Sequence, residues 1–188
     1  MNTNEYVFIV PYDKTVDIDN GFTRQKHTKS IWNKYNDVGE YVQKDIADNS
    51  IAMQQITPVI IIRNSKGKFF SMSYKGPYKN IMSICFSDNL IPDDGIYEPL
   101  FKGAFRLLFK QVKLENLSPF KYIGTVRDME KLPNYLGFVF LLDNIDKISL
   151  NNDILEASWL TKEELIEKYG KLCAFSKHIT NYLVDNSL

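Results

Sequence analysis

The first quarter of the chain contains short apolar runs that are separated by polar, turn-rich segments. Tyr6–Val10 is apolar and β-branched and is followed by Pro11, which predicts a short first strand. Ser30–Tyr35 and Val38–Asp48 have helical patterns and are predicted to be short helices. We therefore expect this part of the chain to supply one strand and a helical extension.

The clearest local pattern predicts a β-hairpin. Ile56–Arg63 and Lys68–Tyr74 have the composition of strands, and they flank the turn sequence of residues 64–67, Asn-Ser-Lys-Gly. The first arm is an almost continuous apolar run. Such a run is typical of a strand that is covered on both faces.

The stretch from Ser83 to Leu114 combines a loop with an amphipathic helix. Apolar residues at helical spacing predict a helix from Tyr97 to about Val112. The residues on its apolar stripe are Leu100, Phe101, Ala104, Phe105, Leu108 and Val112. The loop before it contains residues that favour turns, namely Ser87, Asp88, Asn89, Pro92, Asp93, Asp94 and Gly95.

Strands and helices continue to alternate in the C-terminal half. Phe120–Arg127, Tyr135–Leu142 and Glu156–Leu160 are predicted strands. Thr161 and Glu164 form a capping-box pattern at the start of a helix, and a last helix is predicted over residues 173–184. This order predicts an α+β fold with a mixed sheet between layers of helices. Because no long linker interrupts it, residues 1–188 are expected to form a single domain.

Composition and charge exclude several classes of partner. The 188 residues are 44% hydrophobic, and 23 basic residues balance 23 acidic ones, so we expect neither a nucleic acid nor a membrane surface as a partner. Cys85 and Cys173 lack metal-site spacing and are expected to be buried free thiols. No apolar run reaches the about 20 residues that span a bilayer, and the N-terminus lacks the pattern of a signal peptide. A cytoplasmic protein is the expectation.

The Ser83–Leu114 stretch resembles the signature box of the Nudix hydrolase family. That box is Gly, five residues, Glu, seven residues, Arg-Glu, an aliphatic residue, any residue, Glu-Glu, any residue, Gly and an aliphatic residue. With Arg106 at the box arginine, the matching positions are Glu98, Arg106, Leu108 and Leu114. The positions that depart from the box are Pro92, Leu107, Lys110, Gln111 and Lys113.

The resemblance extends over residues 5 to 185. The chain is similar to a bacterial phosphoesterase branch of the MutT type in four segments. These are FIVPYDK, YVQKDIADNSIAMQQITPVIII, Tyr122-Ile123-Gly124 and Gly137-Phe138-Val139-Phe140. The resemblance implies a Nudix-like α/β/α sandwich with its core over residues 55–185 and the N-terminal strand and helical extension over residues 1–50. Nudix proteins often pair, so the resemblance also allows a homodimer.

The departures from the box bear on the chemistry. Carboxylates at 107, 110 and 111 would share one helix face, and in the family that face holds the magnesium that activates water. Leu107, Lys110 and Gln111 supply no carboxylate. The sequence therefore predicts a Nudix-like fold without the usual metal site and with no cofactor.

Several residues remain candidates for a site. Asp93, Asp94, Glu98 and Glu130 are carboxylates from which a displaced magnesium site could form, and Asp128 lies with Glu130 in a loop that supplies a catalytic base in some members of the family. Solvated loop acids are the simpler interpretation for Asp93, Asp94, Asp128 and Glu130. Arg106 is expected to brace the loop through hydrogen bonds, as the box arginine does in the family. Together with Ser87, Asp88 and Asn89, which replace the family's glycine-rich entry, it is a candidate for ligand binding.

Two functions follow from these residues. The first is a Nudix-fold domain that does not hydrolyse its ligand and binds a nucleotide-like small molecule or a protein. The second is a divergent magnesium-dependent phosphohydrolase of nucleoside-diphosphate-linked compounds, which would use the displaced carboxylates. The chain contains no GxSxG, P-loop or GxGxxG motif that would point to another enzyme class.

Overall fold

The computed structural model describes residues 5–24, 28–95, 98–115, 118–150 and 154–186. Strands in these residues are β1 Tyr6–Pro11, β2 Gly21–Arg24, β3 Glu40–Gln43, β4 Met53–Ile62, β5 Phe69–Tyr74, β6 Met82–Ser83, β7 Cys85–Ser87, β8 Val112–Leu114, β9 Lys121–Asp128, β10 Leu132–Leu142, β11 Ile148–Leu150 and β12 Ile154–Leu160. The α-helices are α1 Thr28–Asn36, α2 Lys44–Asp48, α3 Pro99–Gln111, α4 Lys162–Glu167 and α5 Ala174–Asp185.

A seven-stranded mixed sheet forms the centre of the structure. Its order is β2-β9-β10-β4-β1-β3, and β7 also pairs with β4. β4 and β10 are parallel, and the other pairs are antiparallel. Smaller sheets are formed by β12-β5-β6 and by β11-β8. The mixed sheet and the α+β class agree with the expectation from the order of elements.

The two central strands are buried on both faces. Ile56, Ile60 and Ile62 of β4 pack in one hydrophobic cluster, whereas Val59 and Ile61 pack in another. Side chains alternate across a strand, so a run with few polar residues fills both clusters at once. β10 divides its apolar side chains in the same way. Its residues in the first cluster are Leu136, Phe138, Phe140 and Leu142, and those in the second are Val139 and Leu141.

Helices cover the two clusters. α3 contributes Leu100, Ala104, Leu107 and Leu108 to the first cluster, where α1 adds Trp32 and Tyr35. α4 and α5 contribute to the second cluster with Leu165, Phe175, Ile179, Tyr182 and Leu183. The result is a sheet between two helical layers, as an α/β/α sandwich requires. No described helix is long and apolar enough to cross a membrane.

The predicted hairpin between β4 and β5 is wrong, although its turn forms. Asn64 Oδ1 accepts hydrogen bonds from the backbone N–H groups of Lys66 and Lys68, and Gly67 has a φ of 75°. After an isolated bridge between Arg63 and Phe69, β5 leaves β4 and pairs with β12 and β6. β4 has no free edge for β5, because β10 lies along one edge while β1 and β7 share the other.

The predicted helix over Val38–Asp48 is also wrong in its first half. Residues 40–43 form β3, which pairs with β1, and α2 follows over Lys44–Asp48. A Cβ on Gly39 would meet the Phe8 ring and the carbonyl oxygen of Ile9, so this close approach to β1 requires glycine. Pairing with the edge of the sheet overrides the local helical preference.

The remaining predicted elements are confirmed with shifts of a few residues at their ends. α3 begins at Pro99, and Tyr97, its predicted first residue, lies outside the described residues. The capping box is present, because Thr161 Oγ1 accepts from Glu164 N–H at 3.2 Å and Glu164 Oε2 accepts from Thr161 N–H at 2.7 Å. α5 ends at Asp185, one residue beyond the predicted last helix.

Truncation of Phe138 is expected to destabilise the central sheet strongly. Its ring is fully buried and contacts the rings of Tyr35 and Tyr122. Phe138→Ala should therefore lower the free energy of unfolding by about 3–5 kcal/mol in urea denaturation followed by circular dichroism. Phe109→Ala is the control, because Phe109 is 64% exposed, and it should cost less than about 1 kcal/mol. Equal losses for both variants would contradict the described packing.

Candidate functional site

The loop between β7 and α3 is folded around a buried carboxylate. Residues 92–94 form one 3-10 turn, and Gly95 ends it with a φ of 74°. Asp94 is 3% exposed, and its Oδ2 accepts the backbone N–H of Ile91 at 3.0 Å. The expectation that Asp94 is a solvated loop acid is therefore wrong. Asp93 beside it is exposed.

Arg106 on α3 joins this loop to the helix. Its Nε donates to Asp94 Oδ1 at 2.9 Å, and its Nη2 donates to Asp94 Oδ2 at 3.1 Å and to the carbonyl oxygen of Asn89 at 2.6 Å. Its Nη1 donates to Asp88 Oδ2 at 3.2 Å. A planar guanidinium is suited to this fork of acceptors. The predicted bracing role of Arg106 is confirmed by these contacts.

A glycine on α3 allows the loop to approach the helix. A Cβ on Gly103 would lie 2.6 Å from Leu90 Cδ2 and 3.1 Å from Asp94 Oδ2. A glycine within a predicted amphipathic helix indicates close packing when the helix otherwise has strong helix formers. Gly103 is thus the sequence signal for this contact, although it carries no charge.

The three helix positions that differ from the Nudix box have different environments. Leu107 is fully buried in the first cluster, whereas Gln111 is only partly buried. The Lys110 Nζ donates to Asp88 Oδ2 at 3.4 Å, and its side chain is 64% exposed. Asp88 thus accepts from two basic side chains of α3. This arrangement gathers Arg106, Lys110, Asp88 and Asp94 into an ion cluster that we call the loop cluster.

Asn89 faces the protein interior instead of an open cleft. Its Nδ2 donates to Gln55 Oε1 at 2.9 Å, and its Oδ1 accepts from Thr57 Oγ1 at 3.3 Å. Gln55 in turn donates to Asp48 Oδ1 at 2.7 Å, and Asp48 also pairs with Lys44. The loop is therefore connected to β4 and α2 by side-chain hydrogen bonds. Ser87, the other residue of the replaced glycine entry, is exposed at the end of β7.

The remaining candidate carboxylates lie at separate places in the fold. Glu98 is exposed at the N-terminal end of α3 and has a left-handed φ of 50°. Glu130 is exposed in the turn between β9 and β10. Within the described residues, no group of three or more His, Cys, Asp or Glu side chains is placed to hold a metal ion. Displaced carboxylates are thus not gathered into a site by the parts of the chain that the structure describes.

Near the same turn, the expectation that Asp128 is a solvated loop acid is wrong, because its side chain is buried and pairs with His178, a contact that was not predicted from the sequence. His178 Nε2 lies 3.0 Å from Asp128 Oδ2, and Asp128 Oδ1 accepts the N–H groups of Glu130 and Lys131. Burial opposes the charge of Asp128, but these hydrogen bonds outweigh it and lower the pKa of its carboxyl group. His27, the other histidine, lies outside the described residues.

A cavity of about 850 Å³ is lined by residues of β5, β6 and β12 and by none of the loop-cluster residues. Ser71 and Ser73 of β5 form part of its floor, with Glu156 and Ser158 of β12 beside them. The lysines in its lining are Lys79, Lys168 and Lys171. None of these lysines forms an ion pair with a described carboxylate. The cavity thus carries three basic groups and one acidic group.

Comparison with solved structures identifies the fold. The chain superposes on Tm1382, a provisionally assigned Nudix hydrolase, with a TM-score of 0.83, 18% identity, and coverage of 96% of this chain and 99% of that chain. This chain has the Nudix fold. No family model matches it, and a search of curated proteins gave no match.

Two further solved structures give less extensive superpositions. DR0079 from Deinococcus radiodurans gives a TM-score of 0.58 at 15% identity, with 77% of this chain and 91% of that chain covered. A bifunctional NMN adenylyltransferase/ADP ribose pyrophosphatase from Francisella tularensis, complexed with AMP and a manganese ion, gives 0.53 at 12% identity. It covers 70% of this chain and 41% of that chain. At these identities, the structural similarity establishes the fold alone. The chemistry has to be inferred from this chain's own residues.

Removal of Arg106 is expected to destabilise the protein much more than removal of Lys110. Arg106→Met leaves the Asp94 carboxylate buried without its cation, which should cost up to about 3–5 kcal/mol of unfolding free energy in urea. Lys110→Met removes an exposed contact to Asp88 and should cost about 0–1 kcal/mol. Both variants replace a basic residue of α3 by methionine. Similar losses of stability would therefore argue against a buried Asp94 as the partner of Arg106.

The Asp128 hydrogen bonds are expected to make stability fall in acid. Because the folded-state pKa of Asp128 lies below its ordinary value of 3.8, its stabilising contribution is present above that value and is lost as the pH falls through the folded-state pKa. Wild-type protein should therefore lose stability more steeply than Asp128→Asn between about pH 4 and pH 2. Asp93→Asn, which changes an exposed loop acid, should keep the wild-type slope in thermal melts across this range.

Proposed function

We propose that this Nudix-fold domain binds a nucleotide-like small molecule without hydrolysing it. The observation that carries the proposal is the loop cluster. In it, Arg106 donates hydrogen bonds to the carboxylates of Asp88 and Asp94, and Lys110 donates to Asp88. A divalent cation placed on these carboxylates would have to displace two basic groups. Carboxylates that already accept charge-assisted hydrogen bonds from arginine and lysine are poor candidates for magnesium ligands.

The environment of Leu107 supports the same conclusion. Its side chain belongs to the apolar core, so this helix position contributes packing where the family box has a glutamate. Gln111 offers an amide in place of a carboxylate. The usual chemistry of metal-activated water requires an ion held by oxygen ligands, and the face formed by these residues supplies few of them.

The charge of the cavity favours an anionic ligand. Lys79, Lys168 and Lys171 provide three ammonium groups, and the exposed Ser158 in the lining provides a hydroxyl for a hydrogen bond to a sugar. A volume of about 850 Å³ falls within the range of small-molecule pockets. AMP is the natural first probe, since the Francisella protein with this fold was crystallised with it. The loop residues Ser87 and Asp88 are the other location at which such a ligand could be held.

A divergent magnesium-dependent phosphohydrolase is the second candidate function. Asp93, Glu98 or Glu130 would have to bind the magnesium ion. The oxygens of Asp94 already accept hydrogen bonds from Arg106 and from the backbone N–H of Ile91. A protein ligand is the alternative to a nucleotide within the first function.

Calorimetric titration with AMP, ADP and ADP-ribose, with and without magnesium, tests the proposal. Binding should not depend on magnesium, and no phosphate or AMP should be released from ADP-ribose. Lys168→Glu with Lys171→Glu should weaken AMP binding about tenfold or more, equivalent to ~1.4 kcal/mol, because it reverses two cavity charges. Lys113→Glu with Lys121→Glu is the control, since it makes the same charge change at exposed positions outside the cavity.

Three results would change this assignment. Loss of AMP binding in both double variants would indicate general charge attraction. Loss in Ser87→Glu, with binding kept in the lysine variants, would move the ligand to the loop. Magnesium-dependent binding with release of phosphate or AMP would replace the proposal with the hydrolase.

A further inference from the structure

The fold brings together two cysteines that lie 88 positions apart in sequence. Cys85 is the first residue of β7, and Cys173 is the N-cap residue of α5. The backbone holds the second segment against the first, because the N–H of Cys173 donates to the carbonyl oxygen of Met82 at 2.8 Å and Leu172 forms a bridge with Met82. Both thiols are free.

Two serine hydroxyls contact both sulfur atoms. Ser176 Oγ lies 3.0 Å from Cys173 Sγ and 3.6 Å from Cys85 Sγ, and Ser83 Oγ lies 3.4 Å and 3.6 Å from the same two atoms. Cys173 Sγ donates to both hydroxyls while it is a thiol, and Ser176 Oγ also accepts the N–H of Ile84 at 3.0 Å. When Cys173 is a thiolate, the Ser176 hydroxyl can instead donate its own hydrogen to the sulfur. We call these two cysteines and two serines the thiol cluster.

The thiol cluster favours a negative charge on Cys173. Interaction with the Cys85 thiol is the main cause that lowers the pKa of Cys173, and it outweighs burial with the help of the Ser176 and Ser83 hydroxyls. The same interaction, together with burial, raises the pKa of Cys85 well above its ordinary value. Cys173 also lies at the N-terminus of the twelve-residue α5, where the helix dipole stabilises an anion.

The two sulfur atoms differ in access to solvent. Cys85 is 3% exposed within the core, whereas Cys173 is only partly buried. A reagent from solution can therefore reach Cys173 first, with Cys85 behind it as a second thiol. This is the arrangement of an attacking cysteine and a resolving cysteine, because thiolate character and access together determine which cysteine is oxidised.

We propose that Cys173 and Cys85 form a peroxide-reactive pair that closes reversibly into an intramolecular disulfide. The Cys173 thiolate attacks one oxygen of a hydroperoxide, so that an S–O bond forms while the O–O bond breaks. The leaving oxygen takes up a proton and departs as water when the oxidant is hydrogen peroxide. Cys173 is then a sulfenic acid.

Cys85 completes the reaction. Its sulfur attacks the sulfur of Cys173, the S–S bond forms, and the S–O bond breaks. The hydroxide leaves with the proton of Cys85 as a second water. In total, two thiols lose two electrons and two protons to one hydrogen peroxide, and a dithiol returns the pair to the reduced state. The disulfide would tie the start of α5 to β7.

Oxidation of the whole protein with hydrogen peroxide, followed by alkylation and non-reducing peptide mapping, tests the pair. Wild-type protein should lose the mass of two hydrogen atoms and give one cross-linked peptide containing Cys85 and Cys173, and dithiothreitol should reverse both changes. Its thermal midpoint should rise on oxidation, because a crosslink between distant residues restricts the unfolded chain.

Single variants separate the two roles. Cys85→Ser should accumulate sulfenic acid at Cys173, trapped by dimedone, because no resolving thiol is present. Cys173→Ser should leave Cys85 unmodified under the same conditions. Ser176→Ala is expected to slow the modification of Cys173 by iodoacetamide while circular dichroism shows an unchanged fold.

Other outcomes would overturn the inference. Absence of the cross-linked peptide in folded wild-type protein would show that the two sulfur atoms cannot join. Equal modification of Cys85 in Cys173→Ser would show that Cys173 is not the attacking group. A disulfide between two chains, detected as a dimer on a non-reducing gel, would also contradict it.

Discussion

Burial of β4 on both faces and along both edges is the constraint on which the rest of the structure depends. β10 lies along one edge of this strand, and β1 and β7 share the other. Its side chains supply two hydrophobic clusters, one covered by α3 and the other by α5. With every edge and face occupied, the next strand in sequence, β5, has to pair elsewhere. The small β12-β5-β6 sheet, with its lysine-lined cavity, follows from that displacement.

The loop cluster is the second determinant, because it sets the chemistry of the surface above α3. Arg106 holds the loop with three kinds of acceptor: a buried carboxylate, a partly exposed carboxylate and a backbone carbonyl. The close approach at Gly103 makes these contacts possible. The same interactions that stabilise the loop also occupy the oxygens that a divalent cation would need. Stabilisation of the loop and occupation of these carboxylate oxygens are thus two consequences of one arrangement.

The Nudix fold and the chemistry of this chain have to be considered separately. Agreement with Tm1382 over nearly the full length of both chains establishes how the backbone is arranged, at an identity of 18%. The groups available for function are this chain's own: the loop cluster, the lysine-lined cavity and the thiol cluster. The cavity has the charge expected for an anionic ligand. The thiol cluster lies on the opposite hydrophobic cluster from α3, where Cys85 packs with α5 residues.

The sequence by itself determined the local elements that depend on near neighbours in the chain. Periodicity identified α3, the alternation of apolar runs identified β4, β9 and β10, and Thr161 with Glu164 identified a helix start, because each of these signals requires only residues within a few positions. The resemblance to the Nudix box at Arg106 also implied its bracing role. Only the tertiary structure decided the partner of β5, the strand at residues 40–43, the burial of Asp94 and the meeting of Cys85 with Cys173. Each of these depends on which distant segment occupies an edge or a face, and loop closure between distant positions leaves no local pattern in the sequence.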